Sequence, residues 1–231
     1  SQIWNSLNPD TFPWDKLTLR QITPLAKECR KNEMKYGAWV TSYIVLGNRH
    51  DLSPYQQTTG YDKSTDTLRK LIYTSIYDQK RQQDIVELLK SLQNNPNVDM
   101  LGLDYVRTDF GGYEYVFEFV NDMPVPGIPP GWDEFDDEEK MLWLAHTLEL
   151  KKDPDTIELW QWWRAHKMSH IIREIKLKAH ITKPMWAFTL TWRQGKEHGQ
   201  DPLMFIDAGI DINAPMFYSI DKRTYPMTVS Y

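Results

Sequence analysis

"MLGLDYVRTDFGGYE", Met100–Glu114, opens as an apolar strand and ends in two aspartates, an arginine, a glycine pair and a glutamate. From Val98 to Arg107 the run is apolar on both faces, the habit of a strand buried in a parallel sheet. The second half gathers groups that are costly to bury unpaired. A strand that buries itself and then delivers charges from its carboxyl end builds the functional rims of parallel β/α folds.

Reading outward, Leu19, Ile22, Ala26, Cys29 and Met34 recur at helical spacing, with Pro24 marking a kink or a late start and Gly37 a stop. "AWVTSYIVL" (Ala38 to Leu46) reads as a strand and "GNRHDLSPYQQTTG" as a long loop. A long helix is expected over Ser64 to Gln93, because Leu68, Leu71, Ile72, Ser75 and Ile76 form a stripe that Ile85, Leu88, Leu89 and Leu92 continue. "YEYVFEFV" reads as a short helix, and a Pro-rich, acidic loop or lid insertion follows at about 123–140. Thr156 to His180 is the clearest helix, with Ile157, Trp160, Arg164, Met168, Ile171, Ile172, Ile175 and Ala179 on one side. Met185 to Trp192 and Ile212 to Ile220 read as two more strands, with "GQDPLMFIDAGI" a short helix between them.

Alternating strands and helices imply a parallel α/β fold. Polar clusters follow every strand end, at Asn48–Asp51, Asp104–Glu114, Trp192–Asp201 and Tyr218–Arg223, which points to a TIM-barrel-like (β/α)8 architecture. No glycine-rich nucleotide-binding fingerprint is present. Four readable strands are fewer than a closed barrel needs. The expectation is one barrel-type catalytic domain over 1–231 that is a partial barrel, an internal segment of a longer parent chain. The alternative is that weaker strands lie in "SQIWNSL" and near "TYPMTVSY".

The bulk composition narrows the partners. The chain has 231 residues and a formal charge of -5 with no basic block, so nucleic acid is not expected. No apolar run approaches the ~20 residues of a membrane span. The single Cys29 excludes an intrachain disulfide and a cysteine-based zinc site, and its apolar neighbours suggest a buried, inert thiol. Ten Trp, twelve Tyr and eight Phe, many beside polar residues, offer ring faces of the kind that stack on sugars.

Three blocks carry a resemblance. "VDMLGLDYVR" resembles a strand-four signature D-G-I-x-x-D-Y-[IF]-R; "WQWWRAHKMSHIIREIKLKAHITKPMWAFTL" resembles a W-x-x-W-R helix that leads through K-P into a strand. "HGQDPLMFIDAGIDINAPMFY" resembles a D-x-x-x-W-x-x-x-G-x-[IV]-D run before a P-x-x-Y strand. Together, over roughly Met34 to Tyr218, the chain resembles the bacterial glycoside hydrolase-like TIM-barrel families. Met100 stands where those families carry Gly, and Phe205 where they carry Trp. The resemblance makes the four strands numbers three to six of the barrel. It implies a carbohydrate substrate, cleavage of a glycosidic bond by paired carboxylates, no cofactor, and an extracytoplasmic location.

Within that frame Asp104, at a strand end, is the first choice for nucleophile or charge stabiliser, and Asp109 is its rival. Arg107 would hold a neighbouring carboxylate ionised, or pin the loop through a salt bridge to Asp104. Glu114, after the glycine pair and beside Tyr113, reads either as a general acid or as a glutamate at a helix start. His198 completes the catalytic candidates. Trp39, Arg107, Tyr113, Trp192, Arg193, Gln200, Asp201 and Tyr218 are the candidate sugar contacts, with Asp201 before Pro202 equally a helix cap. His166 and His170 read as a solvated helix face, and no metal site is assigned. A non-catalytic carbohydrate-binding barrel is the alternative function. A metal-dependent hydrolase using His198, Asp201 and Asp104 is a weaker one.

Overall fold

The computed structural model describes residues 2–3, 13–44 and 54–216, with side chains from residue 20 onward except at position 192. In chain order the elements begin with β1 (Gln2–Ile3), α1 (Pro13–Lys31), β2 (Gly37–Thr41), β3 (Gln57–Asp62), β4 (Thr67–Thr74), α2 (Gln79–Gln93) and β5 (Met100–Asp104). A 3-10 turn at Tyr113–Tyr115 leads into α3 (Val116–Asp122), and another at Trp132–Glu134 precedes α4 (Asp137–Ala145). A π-helical turn, His146–Lys151, joins α4 to α5 (Pro154–Lys178). The chain continues through β6 (Met185–Thr189), α6 (Trp192–Glu197), α7 (Pro202–Asp207) and β7 (Ile212–Pro215).

The main sheet has the order β1-β2-β5-β6-β7, and every pairing is parallel. Strand order follows chain order without reversal. With right-handed crossovers, that order winds all connecting helices onto one face. A doubly wound nucleotide-binding sheet would reverse at a switch point, and this one does not. Among the described residues the sheet is an open arc of five strands.

Residues paired across parallel strands share a face. Ala38, Val40, Leu101, Leu103, Met185 and Ala187 lie on the helix face, fully buried, in one cluster with Ile22 and Ala26 of α1, Ile85 and Leu89 of α2, and Met168 and Ile172 of α5. Each such side chain contributes about 1.5–3 kcal/mol by leaving water. The opposite face carries Trp39, Gly102, Asp104, Trp186 and Phe188. Gly102 is required there: a Cβ would stand 2.2 Å from Cε2 of Trp186, whose ring lies across the strand.

The expected helix over Ser64 to Gln93 is corrected. Its first half is the turn and second strand of an antiparallel hairpin, β4 pairing back onto β3, and the helix begins only at Gln79, capped by Asp78, whose side chain accepts from the Arg81 N–H. Threonines and tyrosines favour strand here, and Asp62 turns the chain by accepting from the N–H and hydroxyl of Ser64. Part of the segment read as a loop, "GNRHDLSPYQQTTG", is β3; residues 45–53 lie outside the described ones. The acidic run read as loop also changes character. Asp136 and Glu139 form a reciprocal capping box that starts α4. The strands read from Val98 and Met185 are shorter than expected, ending at Asp104 and Thr189; β2 ends at Thr41 and β7 at Pro215, and residues 45–46 and 217–220 of the expected strands lie outside the described ones. Trp160 and Trp163 of α5 turn inward and stack at 5.5 Å, whereas Trp162 faces solvent against His166.

Candidate functional site

Asp104 closes β5 on the aromatic face of the sheet. Its Oδ1 accepts from the Tyr105 N–H at 2.8 Å, and no cation makes a salt bridge with it among the described residues. Burial pushes its carboxyl above the ordinary aspartate range; the Tyr105 hydrogen bond and the nearby charge of Arg107 pull it partly back. The loop-pinning salt bridge between Asp104 and Arg107 is therefore not the arrangement found. Instead Arg107 lies over the Tyr105 ring at 4.7 Å and donates to the Tyr73 hydroxyl at 3.4 Å. Its Nε and one terminal nitrogen have no partner among the described residues, although the residue is 9% exposed. Tyr105 adopts a left-handed backbone (φ 53°), as does Asp109 (φ 57°). Each costs a non-glycine residue about 1–2 kcal/mol, so the loop between them is held by something stronger.

That holder is Arg164 of α5. Because α5 precedes β6, its first turns sit at the carboxyl ends of the strands. The Arg164 guanidinium donates to Thr108 Oγ1 (2.9 Å) and to the carbonyls of Asp109 (2.9 Å), Gly111 (3.1 Å) and Glu197 (2.9 Å). It thereby ties the loop after β5 to the end of α6. Arg81 of α2 repeats the device at the end of β2, donating to the carbonyls of Thr41 and Ser42.

The same tie brings Asp109 and His198 together across 89 positions of sequence. Asp109 Oδ1 lies 2.9 Å from His198 Nδ1, close enough for an ion pair but off the axis of a hydrogen bond. Phe110 packs on the imidazole at 4.3 Å between ring centres. Two adjoining clefts open beside this pair. The larger, about 630 Å³, is lined by Phe110, Tyr113, Glu149, Lys152, Trp160 and Arg164 together with the start of the next βα loop. The smaller, about 330 Å³, shares Phe110, Tyr113 and Glu149 and adds Asp109 and the hairpin. Glu149, on the π-helical turn, meets Lys63 at 2.6 Å and accepts from the Tyr113 hydroxyl at 3.4 Å. Such turns recur at functional sites.

The remaining candidates fall into two groups. Tyr113 and Arg193 line the larger cleft, Arg193 on its exposed rim beside Glu197. Trp39 lies on the aromatic face, its ring edge-on to Phe188 at 5.7 Å and its indole N–H buried without a partner among the described residues. Three others are engaged by the protein itself. Both Glu114 oxygens are taken, one by the Thr58 hydroxyl (2.9 Å) and one by the Thr59 N–H (2.8 Å), so it clamps the hairpin to the 3-10 turn. Burial still raises its carboxyl, against those bonds. Gln200 is fully buried; it accepts from Leu190 N–H and donates to the carbonyls of Val106 and Phe188. Asp201 caps α7 by accepting from the N–H groups of Leu203 and Met204. Glu114, Gln200 and Asp201, expected as acid, hydroxyl clamp and sugar contact, thus make structural contacts within the protein. For Trp192 only its place at the start of α6 is described, and Tyr218 lies outside the described residues.

No three His, Cys, Asp or Glu side chains gather at metal-binding distance among the described residues, so His198, Asp201 and Asp104 do not form a ligand set. Sequence reading missed Arg164, Glu149 and Lys152. For Arg164 the signal was present: an arginine inside the apolar stripe of α5. Comparison with known protein families and with curated proteins finds no match to this chain.

Proposed function

We propose that the chain is part of a (β/α)8 barrel enzyme that cleaves a glycosidic bond in a poly- or oligosaccharide at the carboxyl ends of its strands. The observation that carries the reading is Asp104: a half-buried carboxyl at a strand tip, on an aromatic face, with no salt bridge among the described residues and an affinity for protons raised by burial. Glycoside hydrolysis uses two carboxyl groups, one holding a proton for the leaving oxygen and one ionised. A carboxyl whose affinity for protons is raised by desolvation suits the first role. Asp109, five residues on and 2.9 Å from His198 Nδ1, is the candidate for the second carboxyl. Trp39 and Phe188 offer ring faces to the sugar.

The locking of Glu114 into the hairpin favours a second reading, a barrel that binds saccharide without cleaving it. Incubation with a panel of neutral and acidic polysaccharides, followed by assay of new reducing ends, separates the two. Release by the parent chain and none by Asp104→Asn supports the enzyme; saccharide binding with no release from any member of the panel supports the binding barrel.

A further inference from the structure

The larger cleft runs against the charge of the whole chain. The chain carries a formal -5, yet among the described residues lining this cleft the cations Lys152, Arg164, Arg193 and Lys196 outnumber the carboxylates Glu149 and Glu197. Both carboxylates already have cations, Glu149 meeting Lys63 at 2.6 Å and Glu197 meeting Arg193 at 3.5 Å.

Arg164 is the unusual group. It is 3% exposed, and all four of its hydrogen bonds end on neutral oxygens, one hydroxyl and three carbonyls. Its Nε has no partner among the described residues. Burial lowers its pKa to about 10, and Asp109 and Glu149 act from a distance to raise it, so the guanidinium stays charged at neutral pH. Burying a charge without a contacting counter-ion is expensive, and a fixed buried cation beside a cavity is a prepared partner for an anion. The cleft also offers rings: Phe110, 57% exposed, at its wall, with Trp160 and Tyr113 behind.

We propose that this cleft binds an anionic saccharide, a sugar ring bearing a carboxylate or a sulfate, with the ring against Phe110 and the anionic group drawn toward Arg164 and Lys152. The inference deepens the glycosidase reading and rests on it for the sugar, while the anion preference rests on the cleft alone. Uronate and sulfate share the chemistry, and the test separates them.

The experiment measures binding of the full chain by calorimetry to polygalacturonate, chondroitin sulfate, neutral dextran and polyglutamate, at low and at physiological salt. The expected result is binding to one or both acidic polysaccharides that weakens with salt, with dextran and polyglutamate at least tenfold weaker. Binding to polygalacturonate alone assigns a uronate, and binding to chondroitin sulfate alone a sulfated sugar. Lys152→Gln, at an exposed position, should weaken that binding about two- to fivefold, the scale of one exposed ion pair. Phe110→Ala should weaken it about three- to tenfold through the lost ring contact. Equal binding of dextran, preference for polyglutamate, or no effect of either substitution overturns the proposal. Asp104→Asn should bind as the parent does. Hydrolysis of a neutral saccharide that depends on Asp104, without affinity for acidic ones, would sink the cleft assignment and leave the enzyme reading standing. Acidic-saccharide binding with hydrolysis that survives Asp104→Asn would do the reverse.

Discussion

Arg164→Met is the sharpest test of how the strand-end loop is held. The arginine makes four hydrogen bonds, to Thr108 Oγ1 and the carbonyls of Asp109, Gly111 and Glu197, between 2.9 and 3.1 Å. Hydrogen bonds with a charged partner contribute about 1.5–3 kcal/mol each, so the gross loss is about 6–12 kcal/mol. Two effects offset it. Methionine carries no charge to desolvate, a saving of several kcal/mol, and the abandoned carbonyls border a cleft of about 630 Å³ that water can enter. The methionine stem keeps much of the packing against Trp160. A net loss of about 2–4 kcal/mol follows, read from urea unfolding followed by tryptophan fluorescence. Amide exchange should accelerate at Gly112 and Thr108, whose N–H groups bond to Thr59 and His198 across the tie. Arg164→Lys, a single point charge that cannot span four acceptors, should recover less than half of the loss. A cost under about 0.5 kcal/mol with unchanged exchange would refute the idea that Arg164 holds the loop.

Gly102→Ala places a Cβ 2.2 Å from Trp186 Cε2 and should cost about 1–3 kcal/mol by overpacking; a Trp186→Leu background should remove at least half of that cost, and strict additivity of the two changes would contradict the contact. Asp104→Asn should alter the pH dependence of stability in a defined direction. The folded-state carboxyl holds its proton above the ordinary aspartate value, so the folded chain binds more protons than the unfolded one between the two values, and parent stability falls as pH rises through that window. Asparagine lacks this loss. The stability of Asp104→Asn relative to the parent should therefore increase from acid to neutral pH, and a relative stability that decreases instead would show the carboxyl to be stabilised by its surroundings.

The parts of the fold legible in the sequence were those whose signal is local. Leu101, Leu103, Ala187 and their neighbours announce buried strands because both faces are apolar, and α5 is long enough for its period to dominate. The hairpin was misread because Leu68, Leu71 and Ile72 satisfy helical spacing; what makes them strand is pairing with β3, such as Leu68 with Tyr61, which lies before the stretch read as helix. The site divides in the same way. The strand-end rule pointed to Asp104, Asp109 and His198 as candidates, but the meeting of Asp109 with His198 depends on a guanidinium from a third element. Asp201 was legible as a cap from its place before proline. Gln200 was not legible as a buried stitch, since nothing nearby in sequence shows that Val106 and Phe188 carbonyls await it. Glu149 carried no signal, lying between Leu148 and Leu150 in an unremarkable segment.

The most direct measurement compares single-turnover cleavage by the parent chain and by Asp104→Asn, on the saccharide the parent hydrolyses fastest and at concentrations that saturate both. Loss of a positioned proton donor should slow the chemical step by at least about 10²-fold while saccharide affinity is unchanged. Cleavage at the parent rate by Asp104→Asn would contradict the assignment of the strand-tip carboxyl, and with it the account of how this sheet delivers chemistry.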